Sequence, residues 1–278
     1  MALDPVDIDA CLVDPATYES TILRIYAKRN ERGMGFHDVA DGVTYFDAAA
    51  DRKVLSRAIA ASIAEGSYEP QPVDLWFLER DGKRRAAHMP GFVDHIVGSA
   101  LFKLLSHNAR CYGLPGVYSY LPGVTNVGAM RAFAAFIRAH RERVGPRGGP
   151  LYVLQSDFEK YGDNLPVGPD AALWNTLREV ASLGCTSGEI SSGTWDLITA
   201  LIRPVVRDED CTEFTRLNGV AMGTPLVPVL GNLGAKTDRQ PSGRIRPPYT
   251  PPGGDAPTIY AASKDGHDES ISPVLTLG

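Results

Sequence analysis

The chain has 278 residues, 44% of them hydrophobic, and a formal net charge of −5. That length can bury roughly three quarters of its unfolded surface, enough for one large domain or two joined lobes. The negative charge argues against a protein that coats nucleic acid nonspecifically, although local charge can still matter. No apolar run reaches membrane-spanning length and the opening MALDPVDIDA is acidic rather than signal-like, so a cytoplasmic protein without membrane contact is expected. The four cysteines, Cys11, Cys111, Cys185 and Cys211, form no Cys-x-x-Cys pair, which excludes a zinc knuckle and offers no disulfide framework.

Residues 1–64 read as a helical region. In DPATYESTILRIYAKR a helix starts after a Pro and spaces Tyr18, Ile22 and Ile25 helically; DRKVLSRAIAASIAEG ends on a Gly suited to a helix C-terminus. A change of period at YEPQPVDLWFLERDGKRRAAHMP, 68–90, predicts two extended arms around the Asp81-Gly82 hairpin turn. FVDHIVGSALFKLL then places Val93, Ile96, Val97, Ala100, Leu101, Leu104 and Leu105 on one helical stripe, and a further helix runs through Val127, Met130, Phe133 and Ile137. GGPLYVLQSDF, 148–158, lacks alternation, as a strand buried on both faces does. Helices follow around 173–180 and 195–205, the second limited by Pro204. NGVAMGTPLVPVLGNL, 218–233, fits neither a helix period nor a strand alternation; its glycines at 219 and 223 suit a close backbone approach. Residues 232–278 hold seven Pro and six Gly in 47 positions, so 234–278 reads as an irregular or disordered tail. The expected class is α/β (α+β), in four regions: 1–64, 65–150, 151–233 and 234–278.

Three stretches bear on chemistry. Lys83, Arg84 and Arg85 stand on a stiff hairpin, where they are either an exposed basic turn or a cradle for phosphate oxygens. Asp157 ends the buried strand, as a turn residue or as a hard oxygen ligand for Mg²⁺. RAFAAFIRAHRERVGPR, 131–147, carries five Arg against one Glu, as a solvated helix face or a phosphate-tracking one.

Taken in order, these stretches resemble the fingers and upper palm of bacterial reverse transcriptases of the group II intron and retron kind. YEPQPVDLWFLERDGKRRAAHMP is similar to that family's opening block, "Y-x-P" then "DGKxRP-x-x-P". GVYSYLPG, 116–123, is similar to "SYGFRPG", with Tyr120, Pro122 and Gly123 in place. YVLQSDFEKYGDNLP, 152–166, resembles the first metal-binding motif, with Asp157 on the ligand. NGVAMGTPLVPVLGNL resembles "GxPQGSPLSPLLxNL", with Gly219, Gly223, Pro225, Pro228, Asn232 and Leu233 matching. The likeness spans roughly residues 65–233. It implies a right-hand polymerase: RNA-directed DNA synthesis from nucleoside triphosphates with Mg²⁺ or Mn²⁺, on an RNA template and a DNA primer or product, with a structured RNA or accessory protein as further partners. In this family Lys83 and Arg85 would touch the triphosphate, Tyr161 would lie beside the nucleotide, Asp157 would hold the metals, and Gly219, Gly223, Thr224 and Pro225 would line the template and primer.

The departures are specific. Ala221-Met222 replaces the family's Pro-Gln. Five positions after Asp157, where a bulky residue would screen against a 2′-hydroxyl, stands Gly162. No Tyr-x-Asp-Asp follows Leu233; Asp265 and Asp268, in IYAASKDGHDES, lack flanking apolar strands, so no second catalytic Asp pair is found. The change of character there has the look of a frameshift or truncation. The expectation is a catalytically incomplete polymerase domain, with a non-catalytic nucleic-acid-binding remnant or decayed reading frame as the alternative. An unrelated Mg²⁺ phosphotransferase built on Asp157 would need further acids beside it, and Asp163 is the obvious one.

Overall fold

Asp7 and Asp14 each turn a carboxylate back onto a backbone N–H two or three residues on, Ala10 and Ala16, and these caps start α1 (Ile8–Leu12) and α2 (Pro15–Asn30). Pro15 opens α2 at a position where a missing N–H costs nothing. A capping box between Thr44 and Asp47 starts α3 (Tyr45–Ala50), and α4 (Arg52–Ala64) stops just before Gly66, whose φ is +67°. The computed structural model describes residues 3–35, 42–80, 82–113, 117, 120–145, 161–216 and 218–237. The strand expected over 148–158, its Asp157 and residues 238–278 of the tail lie outside them, as does Asp81.

The hairpin forms as its sequence predicts. β1 (Val73–Arg80) pairs antiparallel with β2 (Lys83–Met89), from Asp74↔Met89 to Arg80↔Lys83, and Gly82 takes φ +68° in the connection. A second, short pair extends the sheet. β3 (Val205–Arg207) runs parallel to β1 through Val73↔Val206, and β4 (Glu213–Thr215) returns beside it, giving the order β2-β1-β3-β4. Neither strand was expected; three-residue strands carry no readable alternation. Arg207 bonds Asp74 at 2.8 Å and ties β3 to the hairpin's base.

The core gathers around α5 (Phe92–Tyr112), with α8 (Leu173–Ser182) and α9 (Ser192–Ile202) against it. Ile96, Val97, Ala100, Leu101 and Leu105 of its predicted stripe are fully inaccessible, as are Leu177 and Ile198. Each such Leu or Ile contributes about 1.5–3 kcal/mol relative to an exposed one. Asn108 fastens the chain's start to this core: its amide accepts from Val6 N at 2.9 Å and donates to Val6 O at 3.0 Å and Leu183 O at 2.9 Å.

α6 (Asn126–Val144) is present as expected, but Val127 and Met130 are exposed and Phe133 and Ile137 only half-buried. Arg131, Arg138, Arg141 and Arg143 of its basic run are exposed as well. α7 (Tyr161–Asn164) is a single turn. α10 (Val227–Thr237) corrects the reading of 218–233 as wholly irregular: a helix begins there, with Pro228 tolerated in its first turn and Val229, Leu230 and Leu233 buried on one face. It also carries regular backbone three residues past the expected start of the irregular tail, to Thr237. No helix among the described residues is long and apolar enough to cross a membrane. All four cysteines are free.

Candidate functional site

The glycine-rich turn before α10 makes its close approach inside the chain. Gly219 has φ +77°, and a Cβ there would stand 2.5 Å from the carbonyl oxygen of Asp163. Its N–H donates to Leu165 O at 2.9 Å, and the next N–H, of Val220, donates to Gly162 O at 2.8 Å. Gly223 has φ +112°, and a Cβ there would stand 2.7 Å from His88 O. The turn is thereby seated between α7 and the outer edge of β2, where His88 N donates to Met222 O at 2.7 Å. Both glycines are required on two counts: left-handed backbone and a neighbouring main chain that a side chain would strike.

Exposure along the turn is uneven. Gly219, Val220 and Ala221 are buried, whereas Met222 and Gly223 are exposed. Thr224 spends its hydroxyl on Ala221 O at 2.9 Å. Pro225 turns into the core, its ring 3.3 Å from where a Cβ on Gly98 of α5 would be. Of the four residues expected to line a nucleic-acid path, Gly223 alone is exposed.

Two of the departures noted in the sequence, at Gly162 and Met222, touch each other. A Cβ on Gly162 would collide with the thioether sulfur of Met222, so the methionine at the expected glutamine position fills the space left by the missing bulky residue.

His88, Arg216 and Asp163 form a cluster that sequence reasoning missed. His88 is only 2% exposed; its Nδ1 lies 3.2 Å from Met222 O and its Nε2 3.4 Å from an Arg216 guanidinium nitrogen. A carbonyl on one side and a cation on the other fit the neutral ring with the proton on Nδ1. Burial lowers the His88 pKa, Met222 O raises it, Arg216 lowers it and Asp163 raises it, with a net fall. Arg216 also pairs with Asp163 at 3.4 Å. One signal was legible: His88 occupies the inward position of an alternating strand beside Met89, where an apolar residue would be ordinary.

Lys83 and Arg85 are both exposed and share one face of the hairpin with Trp76, Leu78 and Met89, by the pairing register. His88 and Arg84 share the other. Arg84 lies 3.9 Å from the centre of the Phe77 ring and 3.8 Å from Glu209, an exposed pair that adds little stability. β2 therefore links Lys83 and Arg85 to the glycine-rich turn through its backbone, while the register sends their side chains to the face opposite His88.

Asp157 and the side chain of Tyr161 lie outside the described residues. Asp163, the nearest acid in sequence among the described residues, is paired with Arg216. Asp7, Asp9 and Cys185 bring potential ligand atoms within 4.8 Å of one another, but Asp7 caps α1 and accepts from Thr186, and Asp9 accepts from Ser191 N and Oγ, so hydrogen bonds already occupy them.

No protein-family model and no curated protein matches the chain. Among solved structures it is similar to a chain of a partial Cas6-RT-Cas1–Cas2 complex and to one of a Cas6-RT-Cas1–Cas2 complex, each at 16% identity and a TM-score of 0.45. Both likenesses cover 83% of this chain, but 34% of the first and 21% of the second. The chain thus spans about a third and about a fifth of their lengths, and likenesses this slight carry no argument about what it does.

Proposed function

We propose that the chain is the fingers and first part of the palm of a reverse transcriptase, and that on its own it binds nucleotide and nucleic acid without extending a primer. The observation that carries this reading is the order of four motifs in the sequence: the DGKRR hairpin, SYLPG, the Asp157 strand and the glycine-rich turn. The seating of that turn on β2, the strand bearing Lys83 and Arg85, joins the two stretches through one backbone, with their side chains on the face opposite His88.

In this reading Lys83 and Arg85 hold triphosphate oxygens, and Asp157 is the carboxylate that would hold Mg²⁺ or Mn²⁺. The ions would supply charge neutralisation and alignment of the attacking and leaving oxygens. One side-chain carboxylate does not position two ions about 3.5–4 Å apart. The 278 residues contain no Tyr-x-Asp-Asp run, and Asp163 is held by Arg216. That observation favours a second reading, a nucleic-acid-binding protein without catalysis; a phosphotransferase built on Asp157 and Asp163 is disfavoured by the same ion pair.

Primer extension on an RNA template with Mg²⁺ or Mn²⁺ tests the proposal together with nucleotide binding. The expected result is no extension, nucleotide binding that falls at least about tenfold in a Lys83→Ala/Arg85→Ala double variant, and calorimetric metal binding weakened by Asp157→Asn. Extension abolished by Asp157→Ala would show that other residues complete the metal site. Nucleotide binding indifferent to the double variant would remove the hairpin from it.

A further inference from the structure

Where α2 lies along the start of α5, three cations gather around His95. Arg24 reaches across and donates to the carbonyl oxygen of Ser99 at 3.3 Å. Lys28 stands one turn further along α2, about 6 Å on. Arg29 holds its guanidinium 5.1 Å from the centre of the Tyr45 ring, a cation–π contact that limits its freedom. Arg24 and Lys28 are exposed; Arg29 and His95 are half-buried. Arg52, Arg84, Arg207 and Arg216 all have carboxylate partners. Among the described residues Arg24, Lys28 and Arg29 have none, although the chain as a whole is acidic. The cluster's field registers on the imidazole inside it: burial first, then Arg29, Arg24 and Lys28, bring His95 down to about 4, so at neutral pH a fourth positive charge is kept off.

We infer that this face of α2 and α5 is a contact site for the phosphate backbone of a nucleic-acid strand. Like charges held together without counter-charges cost stability unless an anion meets them, and a polyanion meets several at once. Arg24 is held by the Ser99 carbonyl and Arg29 by the Tyr45 ring, so these two side chains lose little entropy when phosphates arrive. On α5, His95 is one turn from Gly98, against which Pro225 of the glycine-rich turn packs. The choice of a nucleic acid over another polyanion rests on the function proposed above.

The test is fluorescence anisotropy of the full chain with a labelled single-stranded RNA over a salt series. For the Arg24→Gln/Lys28→Gln/Arg29→Gln variant the expected result is an affinity loss of about tenfold or more, and a log–log salt slope shallower by about two, given about 0.7 per phosphate contact on a single strand. Lys28→Glu alone, at an exposed position, should lower affinity in the same direction and guards against misfolding of the triple variant. The His95 proton resonances should titrate at a higher pH with RNA bound than without. If the wild-type chain binds RNA and the variants keep its affinity and slope, the site is overturned while the proposed function stands. If the wild type binds no RNA but binds phosphatidylserine/phosphatidylcholine vesicles through these cations, both are overturned.

Discussion

The α5-centred core and the β1–β2 hairpin are built on opposite terms. Along α5, Ile96, Val97, Ala100, Leu101 and Leu105 have no accessible surface; along the hairpin, Trp76 is 56% exposed and Leu78 57%. The core is held by apolar contact on all sides. The hairpin is held at its base, by buried Val73 and His88 and by the Arg207–Asp74 pair, and beyond that by its own ladder of backbone bonds. The difference is one of support: a region enclosed by its neighbours, and an arm whose tip presents charge. The glycine-rich turn joins the two, with Pro225 on α5 and Met222 on β2.

The comparison breaks first at Leu101. Leu101→Ala empties a fully enclosed site and should cost about 3 kcal/mol, read as a lower urea midpoint at unchanged slope. Acid should expose the helical side next. His95 titrates at about 4 when folded and at 6.5 in an open chain, and His88 is lowered too. Between those values the unfolded chain takes up protons that the folded chain refuses, so stability present above pH 6.5 is lost as the pH falls toward 4. The loss should be no more than about 3 kcal/mol, reduced by solvent reaching the half-buried ring. Replacing His95 with Gln should flatten that part of the stability–pH curve; an unchanged curve would place the acid sensitivity elsewhere.

Two glycines sharpen the joint between the regions. Gly219→Ala meets the Asp163 backbone and a φ of +77° at once, and should destabilise by about 2 kcal/mol in thermal unfolding. Gly162→Ala meets only the Met222 thioether, on a 39%-exposed flexible side chain that can swing aside, and should cost less than half as much. Equal effects would mean that Met222 is held as firmly as backbone. Trp76→Ala, on the exposed face of the arm, should change stability by no more than about 0.5 kcal/mol. A large loss there would show that the hairpin's outer face is packed rather than free.

Much of this was readable from residues close together in the chain. Asp14-Pro15, Asp81-Gly82, the stripe from Ile96 to Leu105 and Pro204 mark starts, turns and stops through local backbone preference and periodicity, which need no knowledge of partners. They predicted α2, the hairpin, α5 and the end of α9. The motif order that carries the functional proposal is likewise a property of the sequence alone. Tertiary structure decided what local signals do not encode. β3 exists because β1 offers it an edge, and β4 because β3 does in turn, not because three residues favour a strand. α10 forms from Pro- and Gly-containing sequence because burial of Val229, Leu230 and Leu233 outweighs weak propensity. Glycines chosen for close approach could be assigned a conformation, but not a neighbour: the neighbours, Asp163 and His88, lie 56 and 135 positions away. The cations around His95 and the meeting of Gly162 with Met222 have the same origin, since electrostatic fields and steric contact depend on distances that only the folded chain defines.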